Sequence, residues 1–173
     1  ALLARLAGAQ RATGELRGAI ETIKLALPLA VAGRAAERVA LLALLGNINL
    51  QIGDLARARQ FHESCLAACR SLGRRRVMAS ALHNMGVVEA RCGRREEALR
   101  YYRQALRMAR RAKDLVGVAQ TLGNIANLRA EAGDFAAAER LLRRSLSIRR
   151  RSGDLAGTAV TLGDAFAGGR PPG

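Results

Sequence analysis

The chain has 173 residues; half of them are hydrophobic and only 3% are aromatic, with no tryptophan. A core built from leucine, alanine, valine and isoleucine suits close helix packing better than a β-sandwich. The formal charge is +15, from 29 basic and 14 acidic residues, and the three cysteines are an odd count in a chain too large to be a disulfide-stapled miniprotein. The apolar run at residues 39–45 is too short to span a bilayer, and nothing resembles a signal peptide, so we expect a reducing, cytoplasmic setting.

The first repeating unit, at about residues 1–35, is the loosest copy. Gly14 precedes Gly53 by 39 residues, and both are followed by an acidic residue and a leucine. Pro28 falls inside the second helix expected for this unit and should kink or end that helix. Because helical periodicity starts at once from Ala1, we expect the chain to be part of a longer protein.

Three further units follow at a spacing of forty residues. Gly53, Gly93 and Gly133 each end an apolar-periodic stretch, and a glycine at that place lets the chain turn back on itself. A fixed period of this length indicates a solenoid of stacked helix pairs. The units are placed at about 36–75, 76–115 and 116–155, with first helices over 36–52, 76–92 and 116–132 and second helices over 55–72, 95–112 and 135–152.

Small residues recur where the two helices of a unit should cross. One column holds Ala58, Ala98 and Ala138, because only a small side chain lets the backbones approach there. A second column holds Cys65, Ala105 and Ser145. His62, Cys65 and Cys69 share one helical face, but their columns predict core positions, so no metal site is predicted.

The pattern ends in a partial fifth unit at 156–167, and the Gly/Pro-rich residues 168–173 are expected to form a flexible tail. Leu155, Val160 and Leu162 have no following helix in the sequence to pack against. Self-association through this unit is therefore one possible interaction.

These features resemble the tetratricopeptide repeat (TPR) family. The Leu45-Gly46-Asn47 triplet and the Gly-Asp-Leu turns are most similar to its long-repeat subgroup, which includes LGN/Pins-type adaptors, kinesin light chains and bacterial signalling regulators. The resemblance implies an all-α, right-handed superhelical solenoid of antiparallel helix pairs over residues 1–167, serving as a protein–protein interaction scaffold in a larger signalling or regulatory protein. The chain departs from the family where an aromatic residue is common late in the first helix: Asn49, Glu89 and Arg129 stand there.

The concave surface of such an array is lined by first helices, which carry several neutral polar side chains. An Asn amide both donates to and accepts from a peptide backbone. In LGN-like relatives the Asn after Leu-Gly has this role, so the resemblance implies it for Asn47 and Asn127. The alternative is that these amides bond neighbouring backbone groups or solvent. The candidate groove residues are Asn47, Ser80, His83, Asn84, Gln120, Asn124 and Asn127.

Arginines dominate the second half of the chain, where residues 70–151 hold 20 basic and 7 acidic side chains. Many recur at matching positions of the second helices, so stacking would align them into a basic ladder. The ladder could dock an acidic surface or nucleic acid, although no aromatic stacking platform accompanies it. Alternatively it is a solvated face, partly neutralised by Glu96–Arg100 and Glu139–Arg143 pairs. Its members are Arg100, Arg103, Arg110, Arg111, Arg140, Arg143, Arg150 and Arg151.

The sequence carries no enzyme signature. It lacks a glycine-rich phosphate loop and a nucleophile elbow, and its only histidines are His62 and His83. Glu96 and Glu97 are adjacent on an exposed helix and do not face each other. We therefore expect neither catalysis nor a cofactor.

Overall fold

The structure is a computed structural model that describes residues 2–30, 35–154, 157–159 and 161. Those residues form eight numbered α-helices and no strand, which confirms the all-α prediction. The three later helix pairs begin and end within one residue of the predicted positions. The helices are α1 (Leu2–Ala12), α2 (Leu16–Leu29), α3 (Ala35–Ile52), α4 (Leu55–Leu72), α5 (Arg75–Arg91), α6 (Arg95–Arg111), α7 (Leu115–Glu131) and α8 (Phe135–Ser152).

The helix ends follow from local chemistry. The side chains of Asp54, Asp114 and Asp134 each accept a hydrogen bond from a backbone N–H three residues later, at 3.0–3.1 Å. Such N-caps satisfy amide groups that have no partner within the helix. In the first unit, α2 ends at Leu29, one residue after Pro28, as the sequence predicts.

The helix pairs stack into a solenoid with two distinct layers. The first helices α1, α3, α5 and α7 pack against one another in succession, and α2, α4 and α6 each pack on the next first helix. Within the described residues the second helices do not pack against one another. The first helices therefore form the tighter, inner layer, and the second helices are spread over the outer side.

The predicted small-residue columns are buried. Ala58 and Ala98 are fully buried, and so is Cys65. The second column also ties helices together, because the Ser145 hydroxyl donates to the carbonyl of Ala119 at 2.8 Å and the Cys65 thiol donates to that of Val39 at 3.7 Å. His62 and Cys69 are buried as well, so the core assignment of that face is confirmed.

Polar side chains stand where the family that the sequence resembles commonly has an aromatic residue, and these side chains find polar partners. Asn49 is buried and donates to the carbonyl of Leu45 at 2.7 Å. Glu89 is fully buried and forms ion pairs with Arg59 of α4 and with Arg94, whose Nε lies 2.5 Å from its carboxylate. Glu89 thus joins α4, α5 and the start of α6, a role that the sequence did not reveal.

The predicted fifth unit and tail lie largely outside the described residues. Leu155, Val160 and Leu162, which suggested self-association, are among the residues not described. Self-association through them stays a prediction.

Candidate functional site

A cavity of about 910 Å³ opens along the first helices, mainly between α5 and α7. We call it the groove. Small side chains such as Ala79, Ala109 and Val116 line part of its wall, which leaves room for a ligand. Five of the seven candidate groove residues line it: Ser80, His83, Asn84, Gln120 and Asn124.

The other two candidates, Asn47 and Asn127, are not among the lining residues. Asn47 is half-buried on α3, and its Oδ1 accepts a hydrogen bond from Nδ2 of Asn84 at 2.6 Å. Asn47 therefore orients a groove residue from the neighbouring unit. Asn127 is exposed on α7.

His83 holds a hydrogen-bond network in the groove wall. The Thr121 hydroxyl donates to the carbonyl of Gly117 at 2.7 Å, so its oxygen can accept from Nδ1 of His83 at 3.0 Å. The other ring nitrogen, Nε2, then accepts from the Asn124 amide at 3.3 Å. Burial lowers the pKa of His83 from 6.5 to about 4. The ring is therefore neutral near pH 7, with its proton on Nδ1.

Sequence reasoning missed Thr121 as a groove residue. Thr121 is buried, and Thr161 repeats its position, lines the groove and donates to the carbonyl of Gly157 at 2.9 Å. The sequence does show a repeated Thr-Leu-Gly at 121–123 and 161–163. That repeat alone does not predict that the two threonines line the groove.

Two ion pairs also line the groove, and neither was predicted. Arg76 lies 3.5 Å from Asp114, and Arg149 lies 2.6 Å from Asp154. The pKa of Asp154 is below its usual value because the backbone N–H of Gly157 donates to its carboxylate, with Arg149 adding to the effect. Each arginine is thus matched by a carboxylate, which limits the net charge of the groove.

The groove offers hydrogen bonds rather than reactive groups. Ser80 and Gln120 are exposed, and their side chains make no hydrogen bond within the described part of the chain. Among the described residues, no group of three His, Cys, Asp or Glu could hold a metal ion, and no helix is long and apolar enough to cross a membrane.

The basic ladder lies on the outer side, and all eight of its arginines are exposed. Arg143 pairs with Glu139 at 2.6 Å, as predicted. The predicted Glu96–Arg100 pair is wrong, because Arg100 pairs with Glu97 at 2.5 Å. Residues three and four apart on a helix are both neighbours, so spacing alone did not choose between the two glutamates.

Other arginines bind backbone carbonyls between units. Arg91 of α5 donates to the carbonyl of Leu50, near the end of α3, at 2.8 Å, and Arg95 of α6 donates to that of Leu128, near the end of α7. A cation is favourable at a helix C-terminus, where carbonyls lack helical partners. Part of the arginine excess is therefore structural.

Comparison with known proteins agrees with this geometry. Residues 77–151, which span most of α5 to α8, match the family model described as tetratricopeptide repeat. No curated protein matches the chain by sequence.

Several solved structures share the fold. Aspartyl phosphate phosphatase F from Bacillus subtilis superposes with a TM-score of 0.84 at 12% identity, over 92% of this chain and 42% of that one. BtubC from P. vanneervenii gives 0.73 at 20% identity, over 99% and 82%. A Podosopora anserina kinesin light chain with nearly identical TPR-like repeats gives 0.71 at 14% identity, over 96% and 82%.

At these identities the likeness shows the fold alone, and the chain spans less than half the length of the phosphatase. Residues 77–151 therefore match the tetratricopeptide repeat family, and the described helices before them continue the same paired-helix fold.

Proposed function

We propose that this chain binds a peptide or a partner helix in the groove, as the adaptor or sensor segment of a larger signalling or regulatory protein. Tetratricopeptide arrays are in general scaffolds for protein–protein interaction and are typically non-catalytic. Their stacked first helices create an extended concave surface. The observation that carries the proposal is the cavity of about 910 Å³ on that surface, where neutral side chains that donate and accept hydrogen bonds share the wall with two arginine–aspartate pairs.

The groove side chains are suited to a peptide because part of the set is already held in place. Asn84 is oriented by Asn47, and Asn124 is oriented by His83. Side chains fixed before binding lose less conformational entropy when a ligand arrives. The exposed Ser80 and Gln120 remain available for the ligand's backbone. Since His83 is neutral, these contacts call for neutral peptide groups.

The test uses a displayed library of random peptides selected on the immobilised chain, followed by titration of synthetic peptides. Gln120→Ala and Ser80→Ala should each weaken binding by about 0.5–1.5 kcal/mol without changing helicity. They are better probes than Asn47→Ala, which would leave Asn84 without its partner. Gln104→Ala is the matched control, because Gln104 is exposed on α6, away from the groove. Equal losses in Gln104→Ala and Gln120→Ala, or no selected peptide, would contradict the proposal.

The second candidate is docking of an acidic surface or nucleic acid by the basic ladder. It is favoured by the eight exposed arginines, of which Arg100 and Arg143 form ion pairs within the described residues. Binding through the ladder should fall steeply between low and moderate salt and be lost in Arg103→Ala with Arg143→Ala. Binding through neutral groove amides should depend little on salt. Loss in the arginine pair alone, with a steep salt dependence, would favour the ladder.

A further inference from the structure

Exposed leucines gather in the first helix pair. Of the eight large hydrophobic side chains that are exposed among the described residues, four belong to α1 and α2. These four leucines, here called the leucine patch, are between 47% and 78% exposed: Leu2, Leu6, Leu25 and Leu29. Leu2 and Leu6 are four residues apart on α1, and Leu25 and Leu29 are four apart on α2, so each pair shares one helix face. Neighbouring exposed apolar side chains of this size mark surfaces that a partner covers.

Both pairs of leucines lie on the same side of the first unit. In the fourth unit the positions of Leu6 and Leu25 are held by Ile125 and Arg144, which line one cavity between α7 and α8. That side of a unit faces the preceding unit, because Leu45, at the same position in α3, packs in one cluster with α2. The leucine patch is therefore the surface of α1 and α2 that points away from the rest of the array.

The stacking of units accounts for the leucines of α1 but not for Leu25. The residues at the position of Leu6 are buried in all three later units, where a preceding unit covers them. At the position of Leu25 the later units have Ser64, Gln104 and Arg144, and all three are exposed although a preceding unit packs beside them. A leucine at a position that is elsewhere polar and solvated indicates a contact other than the stacking of units.

We propose that a second copy of this chain covers the leucine patch, in a symmetric dimer joined through α1 and α2 of both copies. A two-fold contact places the same patch of each copy against the other, so it needs no complementary surface elsewhere on the chain. The contact continues the one that joins the units of the array, since the positions of Leu2 and Leu6 are buried against a neighbouring helix pair in every later unit.

The distribution of charge favours this end of the array. Residues 2–30 hold 4 basic and 2 acidic side chains, a net of +2, and Lys24 is paired with Glu21 at 2.8 Å. Residues 70–151 hold 20 basic and 7 acidic side chains, a net of +13. A symmetric contact through α1 and α2 keeps the two basic regions apart. A head-to-tail contact would instead bring the arginines of α8 toward the partner's first unit and increase the repulsion.

The size of the patch sets the expected strength of the dimer. A stable interface typically buries about 800 Å² per partner around an apolar centre. Four leucines form a small centre, so we expect a weak dimer that is half dissociated at about 10–100 μM chain. Because both copies are positively charged, moderate salt should strengthen the dimer by screening their repulsion. Docking of a polyanion on the basic ladder has the opposite salt dependence.

The experiment is sedimentation equilibrium of the full chain from about 1 to 300 μM, at low and at moderate salt. The average mass should rise with concentration and level off at two chains, since a symmetric contact closes on itself. The test variant combines Leu25→Ser with Leu29→Ala, which introduces the residues that the second unit holds at these positions, Ser64 and Ala68. It should weaken the dimer about ten-fold or more and leave the helicity of the monomer unchanged.

Leu115→Ser with Phe135→Ala is the matched control, because it removes two other exposed apolar side chains, at the starts of α7 and α8. It should change the dissociation constant of the dimer by less than about two-fold. A mass that stays at one chain at every concentration, or equal weakening in the test and control variants, would overturn this inference. A mass that keeps rising beyond two chains would also overturn it, in favour of head-to-tail association. The groove function does not depend on any of these results.

Discussion

The ring of Tyr102 fills the space that a side chain at residue 86 would need, since a Cβ on Gly86 would lie 2.5 Å from Cδ1 of that ring. The same relationship holds one unit earlier, where a Cβ on Gly46 would lie 2.5 Å from Cε1 of His62. In the fourth unit the equivalent positions hold alanine at 126 and leucine at 142. The array thus places a glycine in the first helix where the second helix contributes a ring.

Gly86→Ala is therefore expected to destabilise the chain by about 1–3 kcal/mol, because the added methyl group forces the tyrosine ring out of place. Gly123→Ala is the matched control. Gly123 is also inside a first helix, but a Cβ there would meet nothing within 4 Å. Gly123→Ala should therefore stabilise the chain by about 0.5–1 kcal/mol, because alanine is favoured over glycine inside a helix. Urea unfolding measures both changes.

Adding Tyr102→Leu to Gly86→Ala should recover part of the loss, because the double variant reproduces the alanine and leucine of the fourth unit. A Gly86→Ala variant as stable as Gly123→Ala would show that the ring does not limit this position.

The forty-residue period explains how much of the fold could be predicted. Turn glycines, small-residue columns and apolar faces all recur at that spacing, so the bounds of the six later helices, α3 to α8, were predicted to within one residue. The same projection put five polar residues of α5 and α7 on one face, where they line a common cavity. These features depend on residues that repeat.

The contacts that were missed depend on residues that do not repeat. Glu89 meets Arg59 across two units, although no other unit has a glutamate at that position. Arg149 replaces small residues, and its partner Asp154 belongs to the following turn. Such pairings arise from the stacking of neighbouring units, so the spacing of one residue type does not reveal them.

Replacing Lys113 with glycine is expected to raise stability. Lys113 has φ of 53°, and the equivalent turn positions are Gly73 and Gly153, with φ of 61° and 70°. The left-handed conformation costs a residue with a Cβ about 1 kcal/mol, although glycine's freer unfolded chain offsets part of the gain. We expect Lys113→Gly to raise the free energy of unfolding by about 0.5 kcal/mol, measured by thermal or urea unfolding. Lys113→Ala removes the same charge but keeps the Cβ, so an equal gain in that variant would refute the backbone explanation.

Both histidines are expected to stay neutral down to about pH 5. Burial lowers the pKa of His62 and of His83 from 6.5 to about 4, with the charge of His83 adding to the shift at His62. The unfolded chain then binds more protons between pH 6.5 and 4, so stability should fall as the pH falls through that window. NMR titration of the imidazole C–H signals checks the pKa values, and midpoints near 6.5 would contradict them.

His62→Phe tests the same effect through stability. Both ring nitrogens of His62 are buried without a hydrogen-bond partner in the described residues, so phenylalanine should be tolerated at pH 7.5. At pH 5 the stability of the variant relative to the unmodified chain should be higher than at pH 7.5, because phenylalanine takes up no proton at this position. An unchanged difference in melting temperature between the two pH values would rule out this contribution of His62.

Glu89→Gln is expected to destabilise the chain at neutral pH, because the neutral amide cannot pair with two arginines. Burial raises the pKa of Glu89, but hydrogen bonds and charges from Arg94 and Arg59 outweigh it and hold that pKa below 4.5. The carboxylate is therefore charged at pH 7. The side chains of Arg59 and Arg94 are 32% and 47% exposed, so water can solvate both guanidinium groups when the Glu89 carboxylate is replaced. We therefore expect a loss of about 1–3 kcal/mol, below the cost of stranding a fully buried charge.

The pH dependence and a surface control make the Glu89 prediction specific. Since the folded pKa is depressed, the stabilisation is present above about pH 4.5 and is lost as the pH falls below it, so urea unfolding at pH 3 should show a smaller gap between Glu89→Gln and the unmodified chain. Glu97→Gln breaks the exposed pair with Arg100 and should change stability by less than about 0.5 kcal/mol at either pH. If Glu97→Gln cost as much as Glu89→Gln at pH 7, the buried position of Glu89 would not be what gives it its effect.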